Sequence, residues 1–107
     1  MQVFDGDTQD AFELSTPFYI GRDMANVLIY LRNSHATRGL DYQVLAGFGD
    51  VATSDDVEVL VNTTLLAAAG TYQNILVGNW DWVVFALRNN VGGLNASAVA
   101  YVTYKIN

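Results

Sequence analysis

The chain has 107 residues and no cysteine, which allows one domain and excludes disulfide staples, thiolate metal sites and thiol catalysis. Five Lys and Arg against eleven Asp and Glu give a net charge of -6, which repels phosphate backbones and anionic membranes and removes nucleic acid from the partner classes. With 51% hydrophobic and only 15% charged residues, the chain is not disordered, and its surface has to be unusually apolar or unusually covered.

Taken in chain order, residues 1–10 hold Asp5, Asp7 and Asp10 and no basic residue, which reads as a short acidic arm and not as a signal peptide. Strands are expected at 11–14 and 18–20, broken by Ser15, Thr16 and the only proline, Pro17, so both are edge strands. Residues 26–32, Asn-Val-Leu-Ile-Tyr-Leu-Arg, place apolar groups on both faces and predict a central strand. Loops rich in turn formers at 33–39 and 49–56 flank strands at 42–48 and 57–61. Leu65 to Ala69 is too short for a stable helix and reads as strand and turn closed by Gly70. Strands at 73–77, 80–87 and 96–106 follow, with Gly78-Asn79 as a hairpin signal and 89–93 as a loop. The longest apolar runs fall short of the roughly 18 residues a membrane helix needs.

About eight short strands with a period of two predict an all-β, antiparallel, two-sheet sandwich spanning residues 1–107, with a jelly roll as the favoured topology and an immunoglobulin-like arrangement second. In such a fold each strand buries one face and wets the other. Three strands depart from that pattern. Leu28 and Tyr30 oppose Val27, Ile29 and Leu31; Trp80, Trp82, Val84 and Ala86 oppose Val83, Phe85 and Leu87; Val99 and Tyr101 oppose Ala98, Ala100, Val102, Tyr104 and Ile106. A small domain has no further layer for these faces, so either its own loops or another subunit must cover them, and association with further copies is the favoured expectation. Tyr30, Tyr72, Trp80, Trp82, Tyr101 and Tyr104 are the candidate interface or ligand-platform residues.

The chemistry-bearing residues are sparse. His35, the only histidine, sits in a polar loop with no partner at ligand or triad spacing, and a solvated loop role is its simplest reading. Asp5, Asp7 and Asp10 supply oxygen but lack an EF-hand frame; Asp55-Asp56 reads as a solvated turn. Gly92-Gly93 has no following helix or lysine and reads as a turn, and Asn62 and Asn95, although in acceptor sequences for glycosylation, are given no role. No catalytic set, cofactor or metal site is expected. Trp80 and Trp82, two residues apart, would face the same way on a strand and could stack on a sugar, the best case for a lectin-like module; core or subunit interface is the competing reading.

The texture of residues 57–105 resembles small acidic β-sandwich proteins from virions of tailed bacterial viruses, of the capsid decoration or cement type. The resemblance is carried by Val57-Glu58-Val59-Leu60-Val61 leading into Leu66-Ala67-Ala68-Ala69-Gly70, by Trp80 to Asn90, and by the alternating strand from Ala98 to Lys105. It implies a non-enzymatic virion subunit, often trimeric, that binds itself and a capsid shell protein and holds neighbouring shell subunits together. It transfers no functional residue.

Overall fold

The computed structural model describes residues 1–21, 24–49, 57–75 and 80–106. Among them are nine strands and no helix: β1 (Gln2–Asp7), β2 (Glu13–Leu14), β3 (Phe18–Tyr19), β4 (Met24–Asn33), β5 (Leu40–Gly47), β6 (Val57–Leu65), β7 (Gly70–Ile75), β8 (Trp82–Asn89) and β9 (Ser97–Ile106). They form two antiparallel sheets, one in the order β1-β9-β4-β7 and the other β2-β8-β5-β6, with β3 also on β8. This is the all-β, two-sheet sandwich expected from the period of two.

The pairing is nested. β2 and β3 act as one interrupted strand because both pair with β8; β1 then pairs with β9, β4 with β7 and β5 with β6. The chain is therefore a long hairpin folded over itself, and the β4·β9 and β5·β8 pairs join its halves into sheets.

The core follows from alternation. β4 turns Val27, Ile29 and Leu31 inward, β9 turns Ala98, Ala100 and Val102, β5 turns Leu40, Tyr42, Val44 and Ala46, and β8 turns Val83, Phe85 and Leu87. Small alanines on β9 leave room for larger side chains of the facing sheet, as close packing between sheets requires. The accessible surface is 5998 Å², close to the roughly 5,900 Å² expected of a folded monomer of this mass.

The acidic arm expected at residues 1–10 is instead largely strand. β1 pairs with the edge of β9, and an irregularity between Gln2 and Phe4 lets Val3 and Phe4 both pack on the core, while Asp5 and Asp7 stay in the solvated row. Three carboxylates suggested a solvated tail, but alternation puts the charges on the side that needs no burial.

The break between β2 and β3 has a local cause. Pro17 lacks an N–H, and the buried Ser15 takes over part of the ladder: its N–H donates to the Phe85 carbonyl at 2.8 Å and its Oγ accepts from the Phe85 N–H at 2.9 Å. The Thr16 N–H then donates across the sandwich to the Val3 carbonyl at 2.9 Å. The edge strand is thus tied to both sheets. The sequence readings at 11–14 and 80–87 are shifted, with pairing confined to Glu13–Leu14 and beginning at Trp82. The Gly78-Asn79 hairpin signal and Asp55-Asp56 lie outside the described residues.

Candidate functional site

The register assembles an aromatic row on the outer face of the β1-β9-β4-β7 sheet. Tyr30 on β4 lies opposite Tyr72 on β7 and opposite Tyr101 on β9, and Gln2 on β1 continues the row beyond Tyr101. Directly opposed residues of a sheet share a face, so three tyrosines far apart in sequence stand side by side. The Tyr30 and Tyr101 rings are 6.4 Å apart, tilted by 37°. Tyr72 is 73% exposed and Tyr101 40%.

Gly70 explains the position of the middle ring. A Cβ placed on Gly70 would stand 3.0 Å from the Tyr30 Oη and 3.5 Å from its Cζ, so the phenol lies across a backbone that carries no side chain. Tyr30 is half-buried as a result. Sequence reasoning gave Gly70 only a turn role; its position opposite Arg32, beside the tyrosine, becomes visible only with the register.

The rows above and below are polar-rimmed. On one side lie Val99, Arg32 and Asp5, then Ser97 with Asp7, whose Oδ1 accepts from the Ser97 Oγ at 2.9 Å. On the other side lie Leu28, Thr103 and Asn74, then Asn26 and Lys105. An apolar centre with a charged and amide rim is the usual anatomy of a recognition surface.

The other candidate residues do not join this row. Tyr104 is half-exposed and belongs to the inward-facing side of β9, where its ring meets Phe18 at 5.8 Å near the end of the sandwich. Trp80 precedes β8 and pairs with Phe48 at 5.4 Å. Trp82 lies on the outer face of the other sheet, between Tyr19 and Gly47 in its row, and is 1% exposed. Trp82 is thus buried within the chain, as the core reading of the tryptophan pair expected, and lies on a different sheet from Tyr72. Nor is the outer face of β8 uncovered: Val84 and Ala86 are also buried within the chain, flanked by Leu45, Leu14 and Gln43.

The polar clusters hold loops in place. His35 Nδ1 accepts from the Thr37 and Arg38 amides at 3.1 and 3.0 Å, closing its own loop. Buried Asn33 donates from Nδ2 to the Arg38 carbonyl at 2.8 Å and to those of Leu66 and Leu65 at 3.3 and 3.4 Å, while its Oδ1 accepts from the His35 N–H at 3.0 Å. Thr8 Oγ1 donates to Asn89 Oδ1 at 2.6 Å, and Asn89 Nδ2 donates to Asp10 and Asn95. The Gly93 amide, then the Asn89 side chain, hold the Asp10 carboxyl below the ordinary carboxylate range against a smaller opposing effect of burial.

Asp41 sits in a row with Thr64 and Arg88, and the Arg88 guanidinium lies 4.4 Å from the centre of the Phe12 ring. Burial pushes the Asp41 carboxyl up, but hydrogen bonds from Asn90, Thr64 and Arg88 together with the Arg88 charge outweigh it and lower the group. Asp5, Asp7 and Asp10 are not gathered: among the described residues no group of three or more His, Asp or Glu could hold a metal ion. A hollow of about 170 Å³ lined by Thr37, Arg38, Gly39, Asn90, Val91 and Leu94 is smaller than the roughly 300–1,000 Å³ of ordinary ligand pockets.

Comparison with known proteins returns no matching family, no matching curated protein and no matching solved structure.

Proposed function

We propose that the chain is a non-enzymatic structural subunit of a virion, a capsid decoration or cement protein built on a jelly roll, that associates with copies of itself and with a shell protein. The observation that carries this reading is the row of Tyr72, Tyr30 and Tyr101 on a sheet face that the chain's own described elements leave open. The nested strand pairing supports the jelly-roll part of it. Sedimentation velocity at micromolar concentration tests self-association: a species larger than the 11.7 kDa chain is expected, and a monodisperse monomer that also fails to bind shells overturns the proposal.

A lectin-like carbohydrate-binding module is the second reading. What favours it is the Tyr30 ring lying across Gly70, with the amides of Gln2 and Asn74 and the Thr103 hydroxyl on the same face. Quenching or enhancement of tyrosine emission on titration with glycans, abolished by Tyr72→Ala, would replace the assembly reading with this one.

A further inference from the structure

We infer that the tyrosine face pairs with the same face of a second copy of this chain, about a two-fold axis running along the row Tyr101–Tyr30–Tyr72. The inference rests on the assembly reading and names its partner and geometry.

Register numbers each side chain by its distance from the tyrosine row. One step toward the 34–39 loop come Arg32, Val99 and Asp5, and two steps away Ser97 and Asp7; one step in the opposite direction come Leu28, Thr103 and Asn74, and two steps away Asn26 and Lys105. Basic Lys105 and acidic Asp7 therefore stand equally far from the row on opposite sides. They are about 26 Å apart along the strands within one chain, too far to interact.

A two-fold axis lying in the plane of contact along the row exchanges the two sides. Each tyrosine meets its own counterpart, Arg32 meets the Leu28 position of the second copy, and Lys105 meets the Ser97 position with Asp7 one strand further. That lateral offset, about 4.8 Å, is within reach of the four-carbon lysine stem. The symmetry makes the pair twice. The alternative in-plane axis, along β4, sets Arg32 against Arg32 and forms neither Lys105–Asp7 pair. An isologous contact of the first kind is closed, so it ends at two chains.

Strand directions agree with this geometry. Rotation about an axis perpendicular to the strands returns them to the same line, which gives the aligned packing that two twisted sheets prefer. The area is adequate as well. Four strands and the eight-residue span from Asp7 to Lys105 outline a face of roughly 500 Å², so two copies bury about 1,000 Å², the lower bound for a specific interface. Two chains of charge -6 repel at long range, and the two cross-pairs oppose that repulsion where the surfaces meet.

The test is a charge-reversal cycle with a cross-linking readout on the full chain. Asp7→Lys and Lys105→Asp are both at exposed positions, so circular dichroism should match the wild type, and urea melts should match it at dilutions where the wild type too is monomeric. Each single variant should weaken dimerisation at least tenfold by sedimentation equilibrium, and the double variant should restore it to within about threefold of the wild type. Because the chain has no cysteine, Tyr72→Cys offers one thiol per chain, and a short bis-maleimide should join two chains through it, whereas Val59→Cys on the other sheet should not cross-link. A dimer or larger oligomer that ignores both charge reversals, a double variant weaker than either single one, or a three-chain mass overturns the two-fold and leaves the assembly reading standing. A monomer that also fails to bind shells removes both.

Discussion

Asn33→Asp isolates what the buried amide at the end of β4 contributes. The substitution keeps the shape and the Oδ1 that accepts from His35, and it removes the Nδ2 that donates to one carbonyl at 2.8 Å and to two more at 3.3 and 3.4 Å. Asn33 is fully buried, so water does not replace those bonds. One strong and two weak acceptors lose their partner, and at neutral pH a carboxylate would face carbonyl oxygens; about 3–4 kcal/mol is the expected loss. In a chain of this size that lowers Tm by more than about 10 °C.

The loss should depend on pH in a defined direction. Burial and the surrounding carbonyls raise the folded-state pKa of the new carboxyl above its unfolded value of about 3.9, because only the protonated form can donate to the Arg38 carbonyl. Between the two values the folded state binds more protons than the unfolded one, so the stability of the variant falls as pH rises through the raised value. The deficit relative to wild type is smallest near pH 4 and fully developed at pH 7. Urea unfolding followed by tryptophan fluorescence at both pH values measures it. A deficit under about 1 kcal/mol at pH 7, or one equally large near pH 4, would refute the account of Asn33 as the donor that closes this end of the sandwich.

Two further outcomes follow from other polar contacts. Ser15→Ala removes the buried oxygen that accepts from the Phe85 N–H, and should cost about 1–3 kcal/mol in urea melts and speed hydrogen exchange at the Phe85 amide; unchanged exchange there would refute the bond's role. The lowered pKa values of Asp10 and Asp41 contribute stability that is present above the unfolded value of about 3.9 and is lost as pH falls below it toward the folded values. Asp41→Asn should therefore flatten the fall in unfolding free energy between about pH 4.5 and pH 2.5, and an unchanged slope would contradict that assignment.

The sandwich was legible because short β-branched and aromatic runs recur between clusters of turn formers, although on β4 apolar groups on both faces left it to the structure to turn Val27, Ile29 and Leu31 inward. Pro17 likewise marked the interrupted edge, and the Leu65–Ala69 stretch is indeed strand and turn, with Ala68 at φ 57° in the left-handed region before β7 begins at Gly70. Pairing was not legible, since it joins residues separated by most of the chain. All three tyrosines of the row were named from the sequence, but positions 30, 72 and 101 carry no hint that they are neighbours. Trp82 is buried, as the core reading of the tryptophan pair expected. Its neighbours in the row, Tyr19 and Gly47, lie on strands paired only in the fold and are not visible from the sequence around Trp82.

The nesting of β1 on β9 also orders events in time. As the chain emerges from a ribosome, the innermost pair, β5 with β6, is the first whose two partners are both available, and each outer pair must wait for a later segment. β9 supplies both neighbours of its position, β1 on one side and β4 on the other, so that sheet stays split until the last strand has been synthesised. Native closure is therefore a late step that waits for β9, with slow kinetics typical of distant pairings, and until then the exposed strand edges are the part of the molecule most in need of protection from aggregation.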